Sequence, residues 1–250
     1  MDALYCFCFA PPCLPLELRF DDCGWEDPIE VRRLAGFDVI LSRVPIERFT
    51  GAEAEQRLAD LEWLVPRAQA HDRVIARAMD RATVFPLTFG TLFSSLPAMA
   101  LEAATRRRAL LGFFERMAGR EEWSVKVSMD RERAIAARMQ ALYPEGGEAP
   151  TGGRGYLLKQ RRRGEAEQAI GPWLRGQLGC LDESLRPSCE TLLIRPPRDD
   201  VVANRACLVA RDHTSSFFEA IERSRESFTR QGLDLHCSGP WPLYSFCGTP

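Results

Sequence analysis

Hydrophobic and polar positions change period several times along the chain, and each change marks an element. Residues 4–9 are uniformly apolar, predict a first strand and are stopped by Pro11, Pro12 and Pro15. Residues 21–33 are polar with little period. A second strand is expected over 37–44, where Phe37, Val39 and Leu41 alternate with Asp38, Ser42 and Arg43 and Pro45 closes the run. From Glu53 the spacing becomes helical. Leu58, Leu61, Trp63, Leu64, Val65, Ala68, His71, Val74, Ile75, Ala78 and Met79 recur three and four apart, with Pro66 expected to open a second helix. Between Arg81 and Glu102 there is no charged side chain at all. Pro86, Gly90, Pro97 and five hydroxyl residues interrupt that run, so it does not read as a membrane span. It predicts a buried strand over 84–89, with Pro86 at a bulge or unpaired position and a turn at Gly90. Ser95 then caps a helix expected over 96–117.

A new unit begins at the clean alternation of Trp123, Val125, Val127 and Met129. An amphipathic segment at 131–143 and a Gly- and Pro-rich loop at 144–153 follow. A helix with the basic stretch Lys159-Gln-Arg-Arg-Arg163 covers 155–178; strands are expected at 189–195 and 206–210, a helix at 214–231 and a last strand at 233–238. With 131–143 set aside as an extra helix, the order is β-α-β-β-α-β, the ferredoxin-like plan. The chain is therefore expected to be α+β with two domains. Residues 1–120 form a variant two-layer unit, 121–238 the ferredoxin-like one, and 239–250 an extended tail at the seam between them. That tail holds three prolines and three aromatics, so Trp241, Tyr244 and Phe246 are expected to act as anchors, together with His71 and Trp123.

Composition adds constraints. A net charge of −2, a pI of about 6.0 and 45% hydrophobic residues are ordinary for a cytoplasmic monomer and advertise neither nucleic acid nor membrane. The start Met1-Asp2 lacks a basic region, so no secretory leader is expected. Nine cysteines form no Cys-x-x-Cys pair and read as reduced thiols, with Cys6 and Cys8 expected on one strand face.

Candidate chemistry is sparse. There is no Gly-x-Ser-x-Gly elbow, no His-Glu-x-x-His pair, and no phosphate or dinucleotide loop. The loop at 144–153 lacks the Gly-Lys-Ser/Thr ending of a phosphate cradle. His71, His213 and His236 are the whole histidine supply, so no catalytic, metal-binding or cofactor-binding residue is assigned. The strand at 189–195 has no aromatic for stacking RNA bases. A regulatory small-molecule-binding module and an enzyme built on Cys or carboxylates stay open as alternatives.

Several separated stretches then become informative together. They are Ala70-His-Asp-Arg-Val-Ile75, Val84-Phe-Pro-Leu-Thr-Phe-Gly-Thr91, Glu122-Trp-Ser-Val-Lys-Val127, Gly153-Arg-Gly-Tyr-Leu157 and Ser238-Gly-Pro-Trp-Pro-Leu-Tyr-Ser-Phe246. In this order the chain resembles the gas vesicle proteins of the F/L type. It departs from them at Asp72, where Glu is common, at Thr88, where Arg is common, and at Leu243, where Pro is common. The resemblance implies a non-enzymatic, cytoplasmic, gas-vesicle-associated accessory protein without cofactors. Its implied partners are the small hydrophobic shell protein, which it would help deliver to the growing vesicle, and other gas vesicle accessory proteins. Trp63, Phe85, Leu87 and Phe89 of the first domain are the expected partner-binding residues, since a shell subunit exposes apolar surface that needs covering before assembly.

Overall fold

The computed structural model describes residues 2–144, 152–197 and 200–248; most of the loop expected at 144–153 lies outside them. The chain divides into two units, Met1–Glu121 with Trp241–Pro250, and Glu122–Pro240. Both mix helices with an antiparallel sheet, so the fold is α+β.

In the first unit the sheet is built from β1 (Asp2–Ala10), β2 (Ile29–Leu34), β3 (Phe37–Pro45), β4 (Phe85–Pro86) and β5 (Leu92–Phe93). Its order is β2-β3-β1-β4, with β5 also paired to β1. The unbroken apolar run of β1 is explained by this central place: every residue from Ala3 to Ala10 is buried. Cys6 pairs with Leu41 and Cys8 with Ile40, so Phe7 is the extra residue of a β-bulge. The bulge corrects one expectation. Cys8 joins Tyr5, Phe7 and Ala10 in one core cluster, and Cys6 leaves the face it would otherwise share with Cys8.

Helix α1 (Ala52–Ala59) precedes α2 (Leu61–Met79), whose N-terminus is capped by Asp60 accepting the Glu62 N–H at 2.9 Å. Pro66 therefore lies inside α2 instead of opening it. Val74, Ile75 and Ala78 of α2 pack on the Tyr5, Phe7 and Ile40 face of the sheet. The single helix expected over 96–117 is two, α3 (Leu96–Thr105) and α4 (Arg107–Met117). They part where the Thr105 hydroxyl bonds back to the Leu101 carbonyl at 2.8 Å and Arg106 leaves helical geometry at φ −88°, ψ 7°. These helices meet the opposite sheet face through ring contacts of Phe37 with Phe114 and of Phe85 with Phe113. Strand β2 falls in the stretch that reads as polar and aperiodic. Only Val31 of it is buried, as befits an edge strand.

The second unit runs β6 (Arg120–Met129), α5 (Arg131–Leu142), α6 (Gly153–Leu185), β7 (Thr191–Arg195), β8 (Val201–Ala210), α7 (Thr214–Thr229) and β9 (Leu233–Trp241). Its sheet order is β7-β8-β6-β9, so the first strand sits between the third and the fourth. Trp123, Val125 and Val127 of β6, Leu181 and Leu185 of α6, and Phe217 and Ile221 of α7 form its core. Arg205 of β8 reaches across that core to Asp182 of α6 with two bonds of 2.8 and 3.1 Å.

Candidate functional site

The uncharged run 84–93 is held at the sheet edge by three kinds of contact. Val84 is fully buried, Phe85 and Pro86 pair with Phe9 and Cys8, and the Leu87 N–H donates to the Phe7 carbonyl at 2.9 Å. The expected strand over 84–89 is thus shortened to β4, and a turn then leads to β5 beyond the expected range. Pro86 is paired, which an edge strand tolerates because no second neighbour needs its missing N–H. Gly90 sits in that turn at φ +86°, a conformation that costs any side chain energy.

Behind the turn lies a hydrogen-bonded chain of side chains. The Tyr5 hydroxyl accepts the Gly90 N–H at 3.1 Å, which directs its proton to His71 Nδ1 at 2.9 Å. The imidazole then carries its own proton on Nε2, facing the Leu87 carbonyl at 3.1 Å and the Tyr244 oxygen at 3.0 Å. Tyr244 donates onward to Asp72 Oδ1 at 3.1 Å. Burial pushes the His71 pKa down to about 4, against a smaller upward pull from the Leu87 carbonyl, so the ring is neutral as this bonding pattern requires. Burial likewise raises Asp72, opposed by the Tyr244 hydrogen bond, and raises the tyrosine hydroxyls. Every member is engaged in holding another, so the arrangement offers no free nucleophile or base. Its effect is to fasten the segment after Trp241 to α2 and to the 84–93 turn.

That segment is not wholly extended. β9 continues to Trp241, and Tyr244–Phe246 then form a 3-10 turn that buries Phe246. Trp241 is 41% exposed. Cys247, just beyond the turn, places its thiol 3.8 Å from the Pro86 carbonyl.

In front of the 84–93 run a groove opens. Two adjoining hollows of about 380 and 430 Å³ share Phe85, Arg106, Cys247 and Gly248. Leu87, Thr88 and Phe93 line one end, and Leu110, Phe113 and Arg116 the other. The Phe85 and Phe113 rings meet edge to face at 4.9 Å, forming its waist. Thr88 is exposed at one lip, and the cations in this groove are Arg106, at the junction of α3 and α4, which pairs with Glu102 at 2.5 Å, and Arg116 of α4.

Of the four residues expected to bind a partner, Phe85 and Leu87 thus share the groove. Trp63 and Phe89 do not. Trp63 packs against Phe49 on the α2 side, with the Arg67 guanidinium 4.4 Å above its ring, and Phe89 stacks edge-on among Tyr5, Phe49 and His71. Trp123 lies in the core of the second unit, 4.8 Å from the Phe218 ring. The triplet Arg106-Arg107-Arg108 reads from sequence as an exposed helix face that could meet an acidic surface, but Leu110 and Phe113, aligned with Arg106 at spacings of four and three, do not stand out. Tyr5 was passed over as well, although its hydroxyl in an otherwise apolar strand demanded a buried partner.

Among the described residues no three His, Cys, Asp or Glu side chains come together as a metal site would need. No helix among them is long and apolar enough to cross a membrane. Residues 3–248 match the family described as Gas vesicle synthesis protein GvpL/GvpF. The chain is 29% identical over 233 residues to Gas vesicle protein L of Streptomyces sp. (strain CB03234), covering 89% of this chain and 84% of that protein. Its fold is that of the crystal structure of the gas vesicle protein GvpF from Anabaena sp. PCC7120, with a TM-score of 0.73 at 19% identity over 100% of this chain and 98% of the other. GvpF from Microcystis aeruginosa is similar at a TM-score of 0.67 and 17% identity, with 98% of each chain covered.

Proposed function

The chain belongs to the gas vesicle synthesis protein GvpL/GvpF family, and from that membership we propose that it is a non-catalytic accessory protein that binds the small hydrophobic shell protein and assists its delivery to the nascent vesicle. The observation that carries the reading is the groove of the first unit. It is an open, mostly apolar surface bordered by Arg106 and Arg116, in whose lining the Glu102 carboxylate is paired with Arg106 and the Cys247 thiol faces the Pro86 and Leu243 carbonyls. Such a surface shields another polypeptide's apolar area reversibly. In this reading Phe85 and Leu87 are the contact residues, while Trp63 and Phe89 hold the groove's supporting core. The molecule acts in the cytoplasm, before or at assembly, on shell protein and in company with other gas vesicle proteins.

Co-expression of the full chain with the shell protein tests this directly. The shell protein is expected to stay in the soluble fraction and to co-purify with the chain. Shell protein that pellets equally with and without the chain would overturn the reading.

A further inference from the structure

Two exposed helical patches of this chain are opposite in charge and alike in having an apolar centre. The first lies where α1 meets α2. Residues 53–62 carry four carboxylates and one arginine, and that arginine, Arg57, is already paired with Glu53 at 3.0 Å, so the local field is acidic. Among the described residues Glu55 and Glu62 have no ionic partner. Between them Leu58 and Leu61 face solvent, Leu61 at 69% exposure, and Val65 continues the apolar surface one turn further along α2.

The second patch is the start of α6. Residues 153–163 carry five cations and no carboxylate, so the field there has the opposite sign. Arg161 and Arg163 pair with Glu165 and Glu132, and Arg162 lies over the Tyr143 ring, but Arg154 and Lys159 have no partner among the described residues. Between those two cations Tyr156 and Leu157 are 64% and 68% exposed. Gln160 Nε2 donates to the Tyr156 hydroxyl at 3.2 Å, which holds that ring along the helix.

An apolar centre with a carboxylate on either side fits an apolar centre with a cation on either side: the leucines and the tyrosine leave water together while the unpaired charges gain partners at the rim. Both surfaces belong to one sequence. We propose that the α1–α2 patch of one copy docks on the α6 patch of a second copy of this chain, head to tail. Such a contact joins two different surfaces, so it either closes into a ring of a few copies or continues into a longer chain. Each patch covers only two to three helical turns, which puts the contact at the small end of specific interfaces and its dissociation constant on the order of 10 μM. The inference departs from the monomer that composition leads one to expect, and it does not depend on the groove.

Sedimentation velocity of the full chain over a concentration series up to about 0.1 mM tests this. The mean mass is expected to rise with concentration, and the rise to shrink at about 1 M salt, where charges are screened beyond about 3 Å. The variant Glu55→Lys, Glu62→Lys and the variant Arg154→Glu, Lys159→Glu are each expected to self-associate about tenfold or more weakly. Mixed together they should associate again, because the two reversed patches match each other as the two unaltered ones do. Damage to the fold would not produce that rescue. A chain that is monomeric at every concentration, variants that associate as the unaltered chain does, or a mixture that stays monomeric would each overturn the inference. If the chain is monomeric alone and either reversal abolishes its capture of shell protein, the inference is overturned and the patches belong to that partner.

Discussion

His71 shows how one buried polar side chain can connect segments far apart in sequence. Its ring contacts Tyr5 of β1, the Leu87 carbonyl and Tyr244, the last 173 positions away. Removing the Tyr244 hydroxyl leaves Asp72 and His71 each short of a partner, so Tyr244→Phe is expected to lower unfolding free energy by about 1–2 kcal/mol in urea titration. The pH dependence has a definite sign. A histidine held down at about 4 in the fold and ordinary when unfolded binds its proton first in the unfolded chain. Its contribution is therefore intact above about pH 6.5 and is lost as pH falls towards 4, an amount on the order of 3 kcal/mol. Asp72, raised in the fold, opposes this at the acid end of the window, because its protonation favours the folded state. Denaturant unfolding at pH 7 and pH 5 should show the loss, and His71→Gln should flatten that part of the profile relative to the unaltered chain.

At the scale of elements, backbone geometry separates positions that sequence alone treats alike. Gly90 and Gly232 both take positive φ, +86° and +76°, but a Cβ at Gly90 meets open space while one at Gly232 would lie 2.5 Å from the Ala134 backbone nitrogen. Gly90→Ala is expected to cost about 1 kcal/mol and Gly232→Ala 1–3 kcal/mol more, read as thermal midpoints of the two variants. Arg205→Ala should cost about 3–5 kcal/mol, because it leaves Asp182 charged and mostly buried, and hydrogen exchange should rise first in β8 and α6. The same scale explains what was legible in the sequence. The strand β6 and the helical spacing of α2 and α7 could be read directly, and β3 was placed by its apolar residues, although the expected polar face failed because Asp38 and Ser42 are buried along with them. β2 was hidden because an edge strand buries almost nothing on one face, and the break between α3 and α4 depends on a local hydrogen bond that leaves the hydrophobic period intact. In the candidate site, Phe85, Leu87, His71 and Tyr244 stand out individually as misplaced polarity or concentrated aromatics. Their partition into a hub and a groove could not be read, since it is fixed by pairing β1 with β4 and by the approach of residues 241–248.

For the whole molecule the decisive fact is that the first unit is built from two stretches of chain, with all of the second unit's sequence between them. Phe246 is buried and Tyr244 is bonded to α2, so a chain ending at residue 240 lacks part of the first unit's core while keeping every residue of its sheet. That truncation is expected to destabilise the first unit by about 3–5 kcal/mol, the scale of losing a buried aromatic. Hydrogen exchange should increase in α2 and across 84–93, and re-attaching residues 241–250 behind residue 121 through a flexible linker should reverse it.

Residues 241–248 also floor the groove, at Cys247 and Gly248. During translation they emerge only after everything between the two parts has been made. A nascent chain thus has no finished groove until residues 247 and 248 have been made. The groove is completed late, as a by-product of threading.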